Sequence, residues 1–220
     1  MAPLISASTL HILRVDMTPR DHSEESAALC DVCHRFGARQ WCLATSGNFS
    51  VRVDATHCLI TQSGKDKSRL AVDDLMLCTI DGRPLDATLT QSAETALHAC
   101  LYRHDAAIAA VLHTHSVAAT VMSRLAGSRI LISGFEMQKA LRGVTTHESE
   151  ISIPVFDNSQ DMAALASQIE AGLAQGAGGV PGFLIRGHGL YAWGESLEEA
   201  TRHLEGFEFL IACALQEMRG

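Results

Sequence analysis

A short apolar run at residues 108–112 ends in two histidines one residue apart, His113 and His115, within Val-Leu-His-Thr-His-Ser at 111–116. Side chains of an extended segment alternate between faces with a period of two, so both imidazoles point the same way. Two imidazoles from one strand end can therefore meet a single cation, since nitrogen donors of this kind suit zinc and its first-row neighbours. Taken alone, a His-x-His pair is more often two surface histidines. A third histidine changes the balance: His188 stands between Gly187 and Gly189, just after a second short apolar run at 183–185. Glycine on each side lets the backbone approach closely and aims the ring at one point. Three imidazoles with an open fourth position is how catalytic zinc is held.

The rest of the chain supplies a frame. Asp21 with Glu24 resembles a capping box, and Leu29, Val32, Cys33 and Phe36 follow at helical spacing until Gly37. Inside that helix Cys30-Asp-Val-Cys33-His34 matches a c-type haem attachment motif. Cys33 lies on the apolar stripe, so packed thiols are expected instead. Strands are expected at 49–53, 58–61, 75–80, 108–112, 130–132, 151–155, 183–185 and 190–193. Helices are expected from a Thr90 or Ser92 cap to Arg103, and at 117–125, 135–141 and 162–174. A last helix, capped by Ser196 with Glu199, buries Leu197, Ala200, Leu204, Phe207 and Ile211. Strands and helices alternate without a regular βαβ rhythm, which predicts an α/β fold of three layers: a mixed β-sheet flanked by helices.

With 220 residues and no linker or repeat, one domain is expected over 1–220, residues 1–20 forming an arm. The net charge of −8 argues against nucleic-acid or anionic-membrane partners. No run approaches the ~20 apolar residues of a membrane span, and residues 1–20 lack the pattern of a signal peptide. Seven cysteines without an export signal point to reduced thiols in the cytoplasm.

Two small-residue turns, Ser46-Gly47-Asn48 and Ser63-Gly64-Lys65, offer backbone N–H groups, hydroxyls and an ammonium, the makings of an anion cradle. Neither has Walker spacing. Together with three histidines they suggest a small phosphorylated metabolite. Glu94, near the start of the helix that precedes the histidine strand, and Glu136, between Phe135 and Met137, are the candidate proton carriers. The other histidines, at 11, 22, 34, 57, 98, 104, 147 and 203, lack a partner pattern and read as surface or satisfied core residues.

In order and spacing, Ser46–Asn48, Ser63–Lys65, Ser92-Ala93-Glu94, His113–Ser116 and Arg186–Gly189 resemble the motifs of the class II aldolase and adducin-head family, over about residues 25 to 215. Phe135 to Leu141, followed by Thr146-His147-Glu148, is similar to a bacterial branch whose members dehydrate a methylthio-substituted ketopentose phosphate. The resemblance implies one zinc ion on His113, His115 and His188, and a homotetramer with active sites at subunit contacts. It further implies acid/base work by Glu136 or Glu94, and phosphate contacts from Ser46, Gly47, Asn48, Ser63, Gly64, Lys65 and Ser92. Ala93 stands where the aldolases carry a second phosphate-binding serine. Within the same fold the alternatives are a sugar-phosphate aldolase or a pentulose-phosphate 4-epimerase. A non-catalytic adducin-like module would lack the three histidines.

Overall fold

The computed structural model describes residues 22–177 and 179–218; the expected arm and the Asp21 cap lie outside the described residues. Eight strands are found among the described residues: β1 (Asn48–Arg52), β2 (His57–Thr61), β3 (Leu75–Thr79), β4 (Ala110–Thr114), β5 (Arg129–Ile132), β6 (Ile151–Phe156), β7 (Gly182–Ile185) and β8 (Gly189–Gly194). They form one sheet in the order β3-β2-β1-β4-β8-β7-β6-β5. Strands β6 and β7 pair in parallel, while the other neighbours are antiparallel, so the sheet is mixed as expected.

Period-two alternation sorts the strand residues onto two cores. On one face Phe49, Leu112 and Ala192 pack with residues of α1 (Ser23–Ala38), α3 (Val117–Leu125) and α5 (Leu197–Glu217). On the other, Ile60, Val111 and Tyr191 pack with α2 (Thr95–His104) and α4 (Met162–Gly172). Both faces are apolar because both are covered, which explains the near-continuous hydrophobic reading of β4 and β8. Truncating a residue such as Leu112, fully buried at the sheet centre, would cost roughly 2–5 kcal/mol.

Several expected boundaries move, among them that of β4, which spans Ala110–Thr114 rather than 108–112 and so takes His113 into the strand. Helix α2 begins at Thr95 rather than after Thr90 or Ser92. The Ser92 hydroxyl does accept the Glu94 N–H at 3.2 Å, but as a turn ahead of the helix. Glu94 occupies the N-cap position without capping, its carboxylate being directed elsewhere. The stretch at 135–141 is a short 3₁₀ turn, Glu136–Ala140, bonded through Gln138 to the Phe135 N–H and the Ser149 carbonyl. At the last helix Ser196 accepts the Glu199 N–H as expected, while the Glu199 carboxylate bonds the Glu195 N–H and Arg142 instead of closing the box.

Candidate metal centre

Strand β4 lies in the middle of the sheet, hydrogen-bonded to β1 on one side and β8 on the other. Thr114 points toward α5, where it bonds Glu208, so His113 points to the opposite face, and His115 follows on that face just beyond the strand. His188 arrives on the tight turn between β7 and β8, closed by its own N–H bonding the Ile185 carbonyl at 3.0 Å. Gly187 takes φ +66 in that turn, a region few side chains tolerate. A Cβ on Gly189 would sit 2.0 Å from the Thr114 carbonyl oxygen, so only glycine lets β8 start against β4 and deliver His188. Gly47 serves the β1 side, since a Cβ there would meet the His113 carbonyl oxygen at 2.6 Å.

Four side chains converge: Glu94, His113, His115 and His188 each place a ligand atom within 4.8 Å of every other. The Nε2 atoms of His113 and His115 are 2.8 Å apart, His188 Nε2 is 2.7 Å from Glu94 Oε1, and His113 Nε2 is 3.6 Å from that oxygen. His113 Nδ1 donates to the Leu190 carbonyl at 2.9 Å, so the bare Nε2 of its neutral ring faces the cluster. Its ring also stacks on Tyr191, with centroids 3.9 Å apart.

The electrostatics suit a cation. Burial, with smaller contributions from neighbouring imidazoles, pushes His115 down to about 3, and burial likewise lowers His113 against the pull of Glu94. Both rings are thus neutral donors at neutral pH. Burial would raise the Glu94 carboxyl, but the facing imidazoles of His113 and His188 outweigh it and hold Glu94 well below the usual carboxylate range. Among the described residues, the buried side-chain polar atoms without a partner are Ser46 Oγ, Thr95 Oγ1, His188 Nδ1 and Tyr191 Oη. His188 belongs to the cluster itself, and the Tyr191 ring stacks on His113. The donor set, with one His188 nitrogen left without a protein partner, fits a divalent metal.

The cleft over the cluster, about 520 Å³, is lined by Ala93, Glu94, His115, Thr120, Gly187 and His188, with Asn158, Gln160 and Met162 beyond them. Larger concavities of about 820 and 640 Å³ lie elsewhere, but neither contains any of the converging ligand atoms.

The loops of the expected anion cradle have separate arrangements. Lys65 turns its ammonium to Asp74 at 2.7 Å, so its charge is partly matched. The Asn48 side chain is committed to Glu94 and His98. Lys67, not singled out in the sequence, is buried at 1% exposure and donates to the Thr45 and Lys65 carbonyls, fastening the two loops to each other beneath their surface. Ser46 keeps its hydroxyl unpartnered, and Ser63 and Gly64 form the exposed part of the second turn. Nothing in the local pattern marked Lys67, because a lysine among polar residues reads as solvated.

Glu136 is not brought to the cluster within one chain. It sits on the 3₁₀ turn with its side chain 69% exposed, paired with Lys139 at 2.6 Å and His147 at 2.9 Å. Buried Glu208, also unmarked in the sequence, accepts hydrogen bonds from Thr114 at 2.6 Å and Ser116 at 2.5 Å beneath the histidine strand.

A mixed sheet between two helical layers, with imidazoles gathered from a strand end and a glycine-flanked turn, defines a class, and the chain belongs to it: residues 27–215 match the Class II Aldolase and Adducin N-terminal domain family. Among its relatives it is 50% identical over 198 residues to a methylthioribulose-1-phosphate dehydratase of Pectobacterium carotovorum subsp. carotovorum (strain PC1), covering 88% of this chain and 95% of that one. It is 51% identical over 195 residues to the protein of the same name from Yersinia pestis (strain Pestoides F), covering 88% and 87%. The crystal structure of l-fuculose-1-phosphate aldolase from Thermus thermophilus superposes with a TM-score of 0.72 at 27% identity, covering 89% and 95%.

Proposed function

We propose that this chain is a zinc-dependent lyase that dehydrates 5-methylthioribulose 1-phosphate to 5-methylthio-2,3-dioxopentyl phosphate, a step of methionine salvage. The observation that carries this reading is identity at about half of the matched positions, over 88% of this chain, to relatives named for that substrate. The family alone would also admit aldolases.

The ion proposed is zinc, held by His113, His115 and His188 with Glu94 alongside; when bound it supplies Lewis acidity to the substrate ketone. Glu94, ionised and 2.7 Å from His188, would take the C3 proton next to that ketone. The Ser46–Asn48 and Ser63–Lys65 turns, with Ser92 next to Glu94, would receive the phosphate, Ser46 Oγ being the donor that lacks a partner. Loss of the C4 hydroxyl as water needs a proton. Glu136 is the proposed source, and because it stands apart from the cluster of its own chain it would act in a neighbouring subunit of a homotetramer. Its carboxyl is held below the ordinary range by Lys139 and then His147, so it would acquire that proton only once substrate and the neighbouring copy displace them.

The chain's unpaired cysteines, six of them buried, agree with a reducing cytoplasm. No helix among the described residues is long and apolar enough to cross a membrane. The direct test is to incubate zinc-loaded protein with methylthioribulose 1-phosphate and follow the diketone phosphate. Turnover of fuculose 1-phosphate or ribulose 5-phosphate in its place would overturn the assignment in favour of an aldolase or an epimerase.

A further inference from the structure

Behind Glu94 lies a buried polar column. Asn48 Nδ2 donates to Glu94 Oε2. Asn48 Oδ1 meets His98 Nε2 at 2.5 Å, His98 Nδ1 meets Ser50 Oγ at 2.7 Å, and Ser50 Oγ meets the Tyr102 hydroxyl at 2.8 Å. Asn48, Ser50, His98 and Tyr102 are all buried. The column alternates between two elements. Glu94, His98 and Tyr102 recur every fourth residue from the N-cap of α2 onward, and Asn48 and Ser50 every second residue along β1. Four helical residues rise about 6 Å and two strand residues about 6.6 Å. The two ladders therefore stay in step and interdigitate.

We propose that Asn48, His98, Ser50 and Tyr102 form a one-directional hydrogen-bond relay that holds Glu94 in its working orientation, making them positioning residues of the reaction.

The direction follows by elimination. A carboxylate only accepts, so Asn48 must present its amide nitrogen to Glu94 and its oxygen to His98. That oxygen only accepts, so His98 Nε2 must carry hydrogen. The ring is neutral, burial having driven it down to about 3, and a neutral imidazole has one N–H, which leaves Nδ1 as an acceptor. Ser50 therefore donates to His98 and receives from Tyr102. At the far end Arg52 bonds the Tyr102 carbonyl at 3.1 Å and lies 4.8 Å from the centroid of its ring, anchoring the terminal donor. Each member thus selects the orientation of the next. The chain ends with Oε2 tethered and Oε1 turned to His188 and His113. Were His98 to take the other tautomer, the Asn48 amide would have to turn its oxygen on the carboxylate, and Glu94 would be pushed from the cluster.

This inference rests on the role given to Glu94 above, and the experiment separates the two. The full-length, zinc-loaded protein is compared with Glu94→Gln, His98→Leu and His98→Gln for kcat, KM and metal content. Glu94→Gln should lose turnover; if it keeps normal kcat, the reading of the site fails. His98→Leu should lower kcat roughly 10- to 100-fold with KM and metal content kept, as loss of an outer-shell partner does. His98→Gln should recover most of that loss, because its amide nitrogen and oxygen can replace Nε2–H and Nδ1. An inactive Glu94→Gln beside a fully active His98→Leu would overturn the relay alone, as would a glutamine no better than leucine. Nitrogen NMR of histidine-labelled native protein, assigned against His98→Gln, reads the tautomer without perturbing the fold. Hydrogen on Nε2 supports the relay, and hydrogen on Nδ1 overturns it.

Discussion

Glu208 offers a test of how the sheet face opposite the cluster is built. Its carboxyl is 3% exposed and is surrounded by the core that α5 forms with β4. Burial raises it from 4.5 to about 7, against the opposing hydrogen bonds from Ser116 and Thr114. In the unfolded chain the group titrates as an ordinary glutamate, so between those two values the folded protein binds the extra proton. Stability must then fall as pH rises through this window, and the stabilisation present below the unfolded value is gone above the folded one. At about 1.4 kcal/mol for each tenfold difference in proton affinity, the group accounts for roughly 3 kcal/mol between pH 4.5 and 8. Glu208→Gln keeps the shape and the acceptor oxygen but cannot ionise. Urea unfolding of both proteins at several pH values gives a difference curve in which every other titrating group cancels. The variant should match the native protein near pH 4.5 and exceed it progressively toward pH 8. Parallel curves across that interval would refute the reasoning, because they would mean that the folded protein accommodates the charge without penalty.

The centre and its approaches give further tests. His113→Ala should abolish stoichiometric metal retention, measured by elemental analysis after dialysis, and full occupancy would show that the ligand set is misread. Glu136→Gln should lose turnover with its metal kept, while hetero-oligomers of Glu136→Gln and His113→Ala subunits should regain a fraction of it. Absence of that rescue, with both parents inactive and the mixed oligomer formed, would place Glu136 outside the neighbour's site. Gly189→Ala forces a Cβ to within 2.0 Å of the Thr114 carbonyl oxygen, a backbone clash that cannot relax cheaply. The expected loss is at least the roughly 1–3 kcal/mol typical of overpacking, read in the denaturant midpoint together with weakened metal binding.

The three imidazoles were legible because their signals are local: an alternation of two for His113 and His115, and flanking glycines for His188. The layered mixed sheet was legible from the succession of short apolar runs and amphipathic stretches. That β4 pairs with both β1 and β8 was not, since no local pattern encodes which strands become neighbours. His98 shows the same limit. Its four-residue spacing from Glu94 was visible, but its partners Asn48 and Ser50 lie about fifty residues earlier and meet it only through the packing of α2 on β1. No local pattern marks Glu208 or Lys67, and it is tertiary packing that buries them. Glu136 illustrates the opposite case, an acid picked out by its apolar neighbours that the folded monomer leaves on the surface.

Strands β4 and β8 lie side by side although His113 and His188 are far apart in the chain, and His113 is itself bonded to the Leu190 carbonyl across that seam. An ion gripping both imidazoles would rivet the middle of the sheet after the polypeptide has closed a long loop. Retention of the cation then becomes a gauge of how well that seam is zipped. Damage that frays it, even from the opposite helical layer, should register first as leakage of metal.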